Sequence, residues 1–147
     1  MHRFTRSRER WWQKPLVQLG TNHVPAELAV LQPELQTGEE GAWLNSRGVV
    51  SGTAELTRDA EGKFKTRRIE LPSFVSARLR ALYDATGLAK GAPDLVIWDV
   101  SASSLRFVEV KCPHWDTPSK EQAQFLKVAK AAGVEVAIVE WEFSEGS

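Results

Sequence analysis

Two apolar, β-prone runs, residues 95–100 and 105–111, are separated only by residues 101–104. That spacing constrains the fold more than any other feature. A connection so short joins antiparallel strands as a hairpin, because a parallel return needs a long crossover. Helix-period segments flank the hairpin. From Pro72 onward, Val75, Leu79, Leu82 and Tyr83 fall on one helical face, and Gly87 supplies the stop. A second predicted helix covers 118–132, with Phe125, Leu126 and Ala129 inward. Residues 134–141 then read as a strand, nearly continuous in apolar and β-branched residues, which suits a central or parallel position. The order α–β–β–α–β predicts an α/β fold, a small mixed β-sheet flanked by helices.

The N-terminal half is less regular. Residues 1–24 read as an irregular basic arm, with Trp11 and Trp12 suggesting that part of it docks. Residues 25–44 are helical in pattern but interrupted at Pro33, and a short helix is expected over 39–46, stopping at Gly48. Residues 48–71 are β-like, with Asp59-Ala60-Glu61-Gly62 as a hairpin turn between 49–57 and 63–71.

A chain of 147 residues suits one domain, expected over 25–147 behind the arm. With 42% hydrophobic and 26% charged residues it can bury a core without staples, which excludes wholesale disorder. No apolar run approaches the roughly 18 residues of a membrane span. The arginine-rich start has no apolar stretch behind it, so no signal peptide is expected. A lone Cys112 excludes an internal disulfide framework and a multi-cysteine zinc site, and the expected location is a reducing cytoplasm. Net charge is zero, with 19 basic and 19 acidic residues. The distribution is uneven: Arg3, Arg6, Arg8, Arg10 and Lys14 cluster at the start, and Lys63, Lys65, Arg67 and Arg68 form a second basic run. Glu135, Glu140, Glu142 and Glu145 sit at the other end. The basic runs serve either a nucleic-acid-binding face or a solvated surface.

The second hairpin strand carries an anomaly. With a side-chain period of two, Leu105, Phe107, Glu109 and Lys111 share a face, so two charges project from the end of an apolar strand. Burying them is costly unless they pair with each other or with a cation. Asp94 stands where the preceding strand begins, so an antiparallel hairpin makes it a neighbour of Glu109 and Lys111. Two carboxylates and a lysine at a sheet edge suit phosphodiester hydrolysis with a hard divalent cation held by oxygen ligands. The alternative is a surface ion pair contributing ~0.2–1 kcal/mol. Glu61-Gly62-Lys63 has the same spacing, but it lies in a predicted turn and reads as surface.

The stretches Lys90-Gly91-Ala92-Pro93-Asp94-Leu95-Val96-Ile97-Trp98, Phe107-Val108-Glu109-Val110-Lys111-Cys112-Pro113 and Ser119-Lys120-Glu121-Gln122 resemble the PD-(D/E)xK nucleases, and more narrowly the VRR-NUC family. The helix containing Val75 to Leu79 is further similar to one in the nuclease domain of the Fanconi-associated nuclease. The likeness covers roughly residues 74–141. It implies a restriction-endonuclease-like core and a Mg²⁺- or Mn²⁺-dependent DNA endonuclease acting on branched or flapped DNA in repair or junction resolution. Carried across, Asp94 and Glu109 ligate the metal, Val110 offers its carbonyl, Lys111 is the catalytic lysine and Gln122 the motif glutamine. Ser119-x-x-Gln122 is also a capping-box pattern, and the two roles are compatible. One more acid is expected from an N-terminal helix, with Glu27, Glu34, Glu39 and Glu40 as candidates and Glu40 the choice. Cys112 stands where a small residue is common in the family and reads as a small buried hydrophobe. Lys90 and His114 would contact phosphate, although a loop histidine can simply be exposed. Trp115 is open between base stacking and core packing. Family resemblance also admits an antibacterial effector delivered to a target cell and matched by an immunity protein, and it suggests a homodimer. From another class comes a catalytically idle nucleic-acid-binding module.

Overall fold

A computed structural model describes residues 1–11, 14–45, 49–88, 90–113 and 119–144. In chain order these form β1 (His2–Trp11), β2 (Lys14–Leu19), β3 (Asn22–Val24), α1 (Ala26–Glu34), β4 (Glu39–Trp43), β5 (Ser51–Arg58), β6 (Phe64–Glu70), α2 (Ser73–Thr86), β7 (Leu95–Asp99), β8 (Ser104–Lys111), α3 (Lys120–Ala131) and β9 (Glu135–Phe143). Trp12, Gly48, His114, Trp115, Thr117, Pro118 and Glu145 lie outside the described residues. No helix among those described is long and apolar enough to cross a membrane.

The short connection makes β7 and β8 antiparallel, from Leu95 opposite Val108 to Asp99 opposite Ser104. Strand β8 continues through α3 into β9, which lies parallel to it with Phe107 opposite Val136. The sheet is mixed and larger than expected, in the order β3-β2-β1-β9-β8-β7-β4-β5-β6. Its centre is covered on both faces, which is why β7 reads as an unbroken apolar run. Leu95 and Ile97 join the core under α1, whereas Val96 and Trp98 join Val75, Leu79, Phe107 and Phe125 under α2 and α3.

Two expectations are corrected. The first 24 residues are not an irregular arm, because β1, β2 and β3 extend the sheet. Their pairing is non-local: β1 lies parallel to β9, with His2 opposite Trp141 and Phe4 opposite Phe143. The Phe4 ring lies 6.2 Å from that of Trp141, tilted by 43°, and Arg6 lies 3.8 Å over the Phe143 ring. The expected docking of Trp11 is an edge-on contact with Trp43 at 6.0 Å. The second correction concerns residues 39–43, which form strand β4 and not a helix. Glu39 and Glu40 favour helix locally, but tertiary contacts decide. Gly41 lies opposite Ile97, and a Cβ there would stand 2.7 Å from Leu31 Cδ1, so the glycine lets α1 settle directly on the sheet.

Helix α1 is buried nearly all round, through Ala26, Leu28, Ala29, Val30 and Leu31. The sheet curls about it, so that β3 packs on β5 although they lie near opposite ends of the strand order, and Glu9 of β1 pairs with Arg58 of β5. A helix enclosed this way needs no polar face.

Its C-terminal end is fastened by Arg106 of β8. This guanidinium donates to Glu39 Oε1 at 2.9 Å, to Glu39 Oε2 at 3.2 Å and to the Glu34 carbonyl at 2.7 Å. The hydrogen bonds from Arg106 hold the Glu39 carboxyl below its usual value of 4.5. A depressed carboxylate pKa stabilises the fold above the unfolded value, and that contribution is lost as pH falls through the folded one. Arg106→Ala should therefore cost ~1–3 kcal/mol at neutral pH, with the difference from wild type shrinking in acid. Urea titrations at the two conditions check this; a pH-independent difference would contradict it.

Candidate active site

One residue beyond the β7–β8 ladder, the register that sets Leu95 opposite Val108 carries Asp94 to Glu109. Both neighbours fix Asp94. Its Oδ2 accepts the Val110 N–H at 2.8 Å, and its carbonyl accepts the Leu44 N–H at 2.7 Å. The N–H and C=O of a strand residue project to the same side, so the Val110 carbonyl also faces the Asp94 edge. Glu109 is only 3% exposed and lies on the Phe107 face, while Lys111, two residues on, is half-buried at the strand end. The hairpin thus brings Asp94, Glu109, Val110 and Lys111 to one end of the sheet.

The loop leading into Asp94 is held from two helices. Gly91 has φ +110°, and a Cβ there would stand 2.8 Å from backbone atoms of Glu121. The Ala92 N–H donates to the Tyr83 hydroxyl at 3.2 Å, and the Tyr83 ring packs edge-on against Phe125. Gly91→Ala combines a disallowed backbone angle with a clash against main chain, so about 1–3 kcal/mol of stability should be lost. Thermal unfolding measures it, and an unchanged midpoint would show that the loop is not held as described.

The carboxylate that lines a cleft with Asp94 is that of Glu27, in the first turn of α1, whereas Glu40 lies elsewhere. Glu27, Asp94, Lys14, Trp43, Asn45, Tyr83 and Lys90 line a cleft of about 430 Å³. Glu27 Oε1 is 2.8 Å from Lys14 Nζ, and its Oε2 is buried and accepts no hydrogen bond among the described residues. Burial pushes the Glu27 pKa above its usual value, Lys14 opposes this, and the nearby Asp94 charge adds to the rise. Glu40 instead is exposed on β4 opposite Trp98, four residues along β7 from Asp94, or ~13 Å at strand spacing. It lines a separate cavity with Arg67 and Glu70. Of the other helix candidates, Glu39 is engaged with Arg106. A signal for Glu27 was present in Pro25-Ala26-Glu27-Leu28-Ala29-Val30-Leu31, where one charge interrupts a helix otherwise apolar on every side.

Gln122 forms the capping box. Its N–H donates to Ser119 Oγ at 3.1 Å, and its Oε1 accepts the Ser119 N–H at 3.2 Å. Of the second basic run, Lys63, Lys65, Arg67 and Arg68 are all exposed along the outer edge of the sheet. Lys65 lies 3.9 Å from Asp59 and Arg67 3.3 Å from Glu55. Arg68 alone reaches toward the cleft, donating to Asn45 Oδ1 at 2.9 Å as well as to Thr53 and Ser51. Lys90 is exposed at the cleft rim. Cys112 is buried, as its reading as a small hydrophobe requires. The second Glu-x-Lys is turn surface, with Asp59 Oδ1 accepting from the Glu61 and Lys63 N–H groups.

No three His, Cys, Asp or Glu side chains among the described residues already surround a common point. The donor set nevertheless fits a hard cation: carboxylate oxygens facing one cleft, one of them buried without a hydrogen bond.

The model of the VRR-NUC domain matches residues 26–141. No curated protein matches. Among solved structures, the chain is similar to a crystal structure of paFAN1 bound to DNA with a two-nucleotide 5′ flap and a gap, at 27% identity and a TM-score of 0.39. The likeness covers 47% of this chain and 13% of that one. With the family match spanning most of its length, the chain belongs to the VRR-NUC family of nucleases.

Proposed function

We propose that the protein is a divalent-metal-dependent DNA endonuclease. The observation that carries this reading is the convergence of Asp94, Glu109 and Lys111 at one end of the β7–β8 pair, with Glu27 and Asp94 lining one cleft. Glu27, Asp94, Glu109 and the Val110 carbonyl are the groups that would hold Mg²⁺ or Mn²⁺. When bound, the ion supplies Lewis acidity at the scissile phosphate. Lys111 sets a positive charge beside that phosphate and offsets the negative charge that builds as the attacking water oxygen adds to phosphorus. Glu109, shielded from solvent, offers its carboxylate from a side closed to bulk water. Gln122 keeps the start of α3, and hence Glu121 and the Gly91 loop packed on it, in place.

The DNA backbone lies along the exposed cations. The Arg67–Glu55 pair is about half exposed on both sides, and such pairs contribute at most ~1 kcal/mol, so phosphate can displace the acid. Lys90 and Arg68 lead from that edge to the cleft. Branched or flapped DNA is the substrate class proposed.

Incubation of labelled duplex, 5′ flap and forked DNA with Mn²⁺ or Mg²⁺ tests the reading. Cleavage should require the ion and stop with EDTA. A folded protein that binds these DNAs, cuts none of them and takes up no divalent ion in calorimetry would be an idle binding module instead.

A further inference from the structure

Lys14 opens β2, opposite Trp11, and precedes the residues matched by the family. Its ammonium nonetheless enters the acidic cleft. The Nζ lies 2.8 Å from Glu27 Oε1 and 5.9 Å from the centre of the Trp43 ring. The Lys14 side chain is 41% exposed, whereas that of Glu27 is 13% exposed. The stem therefore reaches inward from solvent across an aromatic face to a buried carboxylate.

The electrostatics of the cleft call for a cation. Glu27 is buried, and the Asp94 carboxylate nearby makes its charge still less favourable. Lys14 is the basic group that offsets both effects. It does so incompletely, through one oxygen, leaving Oε2 without a hydrogen bond among the described residues. An ammonium is a point charge on a flexible stem, without the two-pronged grip of a guanidinium, so it can withdraw. A divalent ion and an ammonium repel each other when both touch one carboxylate.

We infer that Lys14 is a resident counter-cation: it occupies Glu27 when the cleft holds no divalent ion and competes with that ion for the same carboxylate. Lys14 thereby sets the ion concentration at which the site loads. On loading, the displaced ammonium stays in the cleft that Lys90 also lines, available to a phosphate oxygen. This rests on the reading of the cleft as a metal centre.

Mn²⁺ titration of DNA-free protein at low ionic strength, followed by calorimetry, tests it. Lys14→Met keeps the stem and removes the charge, and it should tighten Mn²⁺ binding about three- to tenfold. In a Glu27→Gln background the same substitution should leave the affinity unchanged. In wild-type protein, Mg²⁺ titration should move the Lys14 side-chain NMR signal, a readout that needs no variant to fold. Unchanged or weaker Mn²⁺ binding by a folded Lys14→Met variant, or a Lys14 signal indifferent to Mg²⁺, would overturn the inference alone. Wild-type protein that binds neither ion would overturn the metal centre with it.

Discussion

Lys111→Ala should lower the single-turnover cleavage rate by about 10²–10³-fold while leaving the unfolding midpoint nearly unchanged. The asymmetry follows from position. Lys111 is half-buried at the exit of β8, beyond the apolar residues Phe107, Val108 and Val110 that hold the strand in the sheet. Removing its ammonium takes a positive charge from the reacting phosphate without opening a cavity. DNA binding should be far less affected, because Lys90 and the basic edge of β6 remain. Lys111→Arg should recover little, since a planar guanidinium places its charge differently. The Lys63→Ala variant is the control for the chemical step: that Glu-x-Lys copy lies in an exposed turn away from the β7–β8 edge, so any effect should fall on DNA binding and not on the single-turnover rate. A Lys111→Ala enzyme cutting within tenfold of wild type would remove this lysine from the chemistry.

Glu27→Gln should abolish cleavage and weaken Mn²⁺ binding by more than about tenfold, whereas Glu40→Gln should do neither. The first substitution removes one carboxylate charge from the cleft that Asp94 lines. The second changes an exposed residue some four positions along the sheet. Stability should move the other way. Burial raises the Glu27 pKa, so the folded protein disfavours the charged form, and a neutral amide relieves that cost. Lys14 loses its partner but is exposed enough to remain hydrated. A more stable, inactive Glu27→Gln variant is the signature of a charge kept for function. Cleavage lost with Glu40→Gln and retained with Glu27→Gln would reverse the assignment.

What the sequence revealed and what it concealed follow from the range of the interactions involved. The β7–β8 hairpin, the turn at Asp59, helix α2 with its Gly87 cap and the Ser119–Gln122 box depend on residues near one another, and each is as expected. The approach of Asp94 to Glu109 needed only the period of a strand and a short turn. Strand β1 escaped notice because its arginines mask the alternation and its partner β9 lies at the other end of the sequence. Strand β4 escaped because helix-forming glutamates precede a glycine whose purpose, contact with Leu31, is tertiary. The choice of Glu40 among the helix acids drew on both of those readings. With β4 read as a helix, Glu40 fell near the site, and with β2 read as an arm, the lysine that singles out Glu27 was invisible.

We propose that Asp94, Glu109 and Glu27 serve one ion beside Lys111. A crystal soaked in Mn²⁺ and measured for anomalous scattering tests it most directly. A peak is expected at the open end of the β7–β8 pair, within coordination distance of all three carboxylates and of the Val110 carbonyl. A peak held by Glu40 and Glu70 in the neighbouring cavity, or Mn²⁺ bound with Asp94 and Glu109 both untouched, would contradict it.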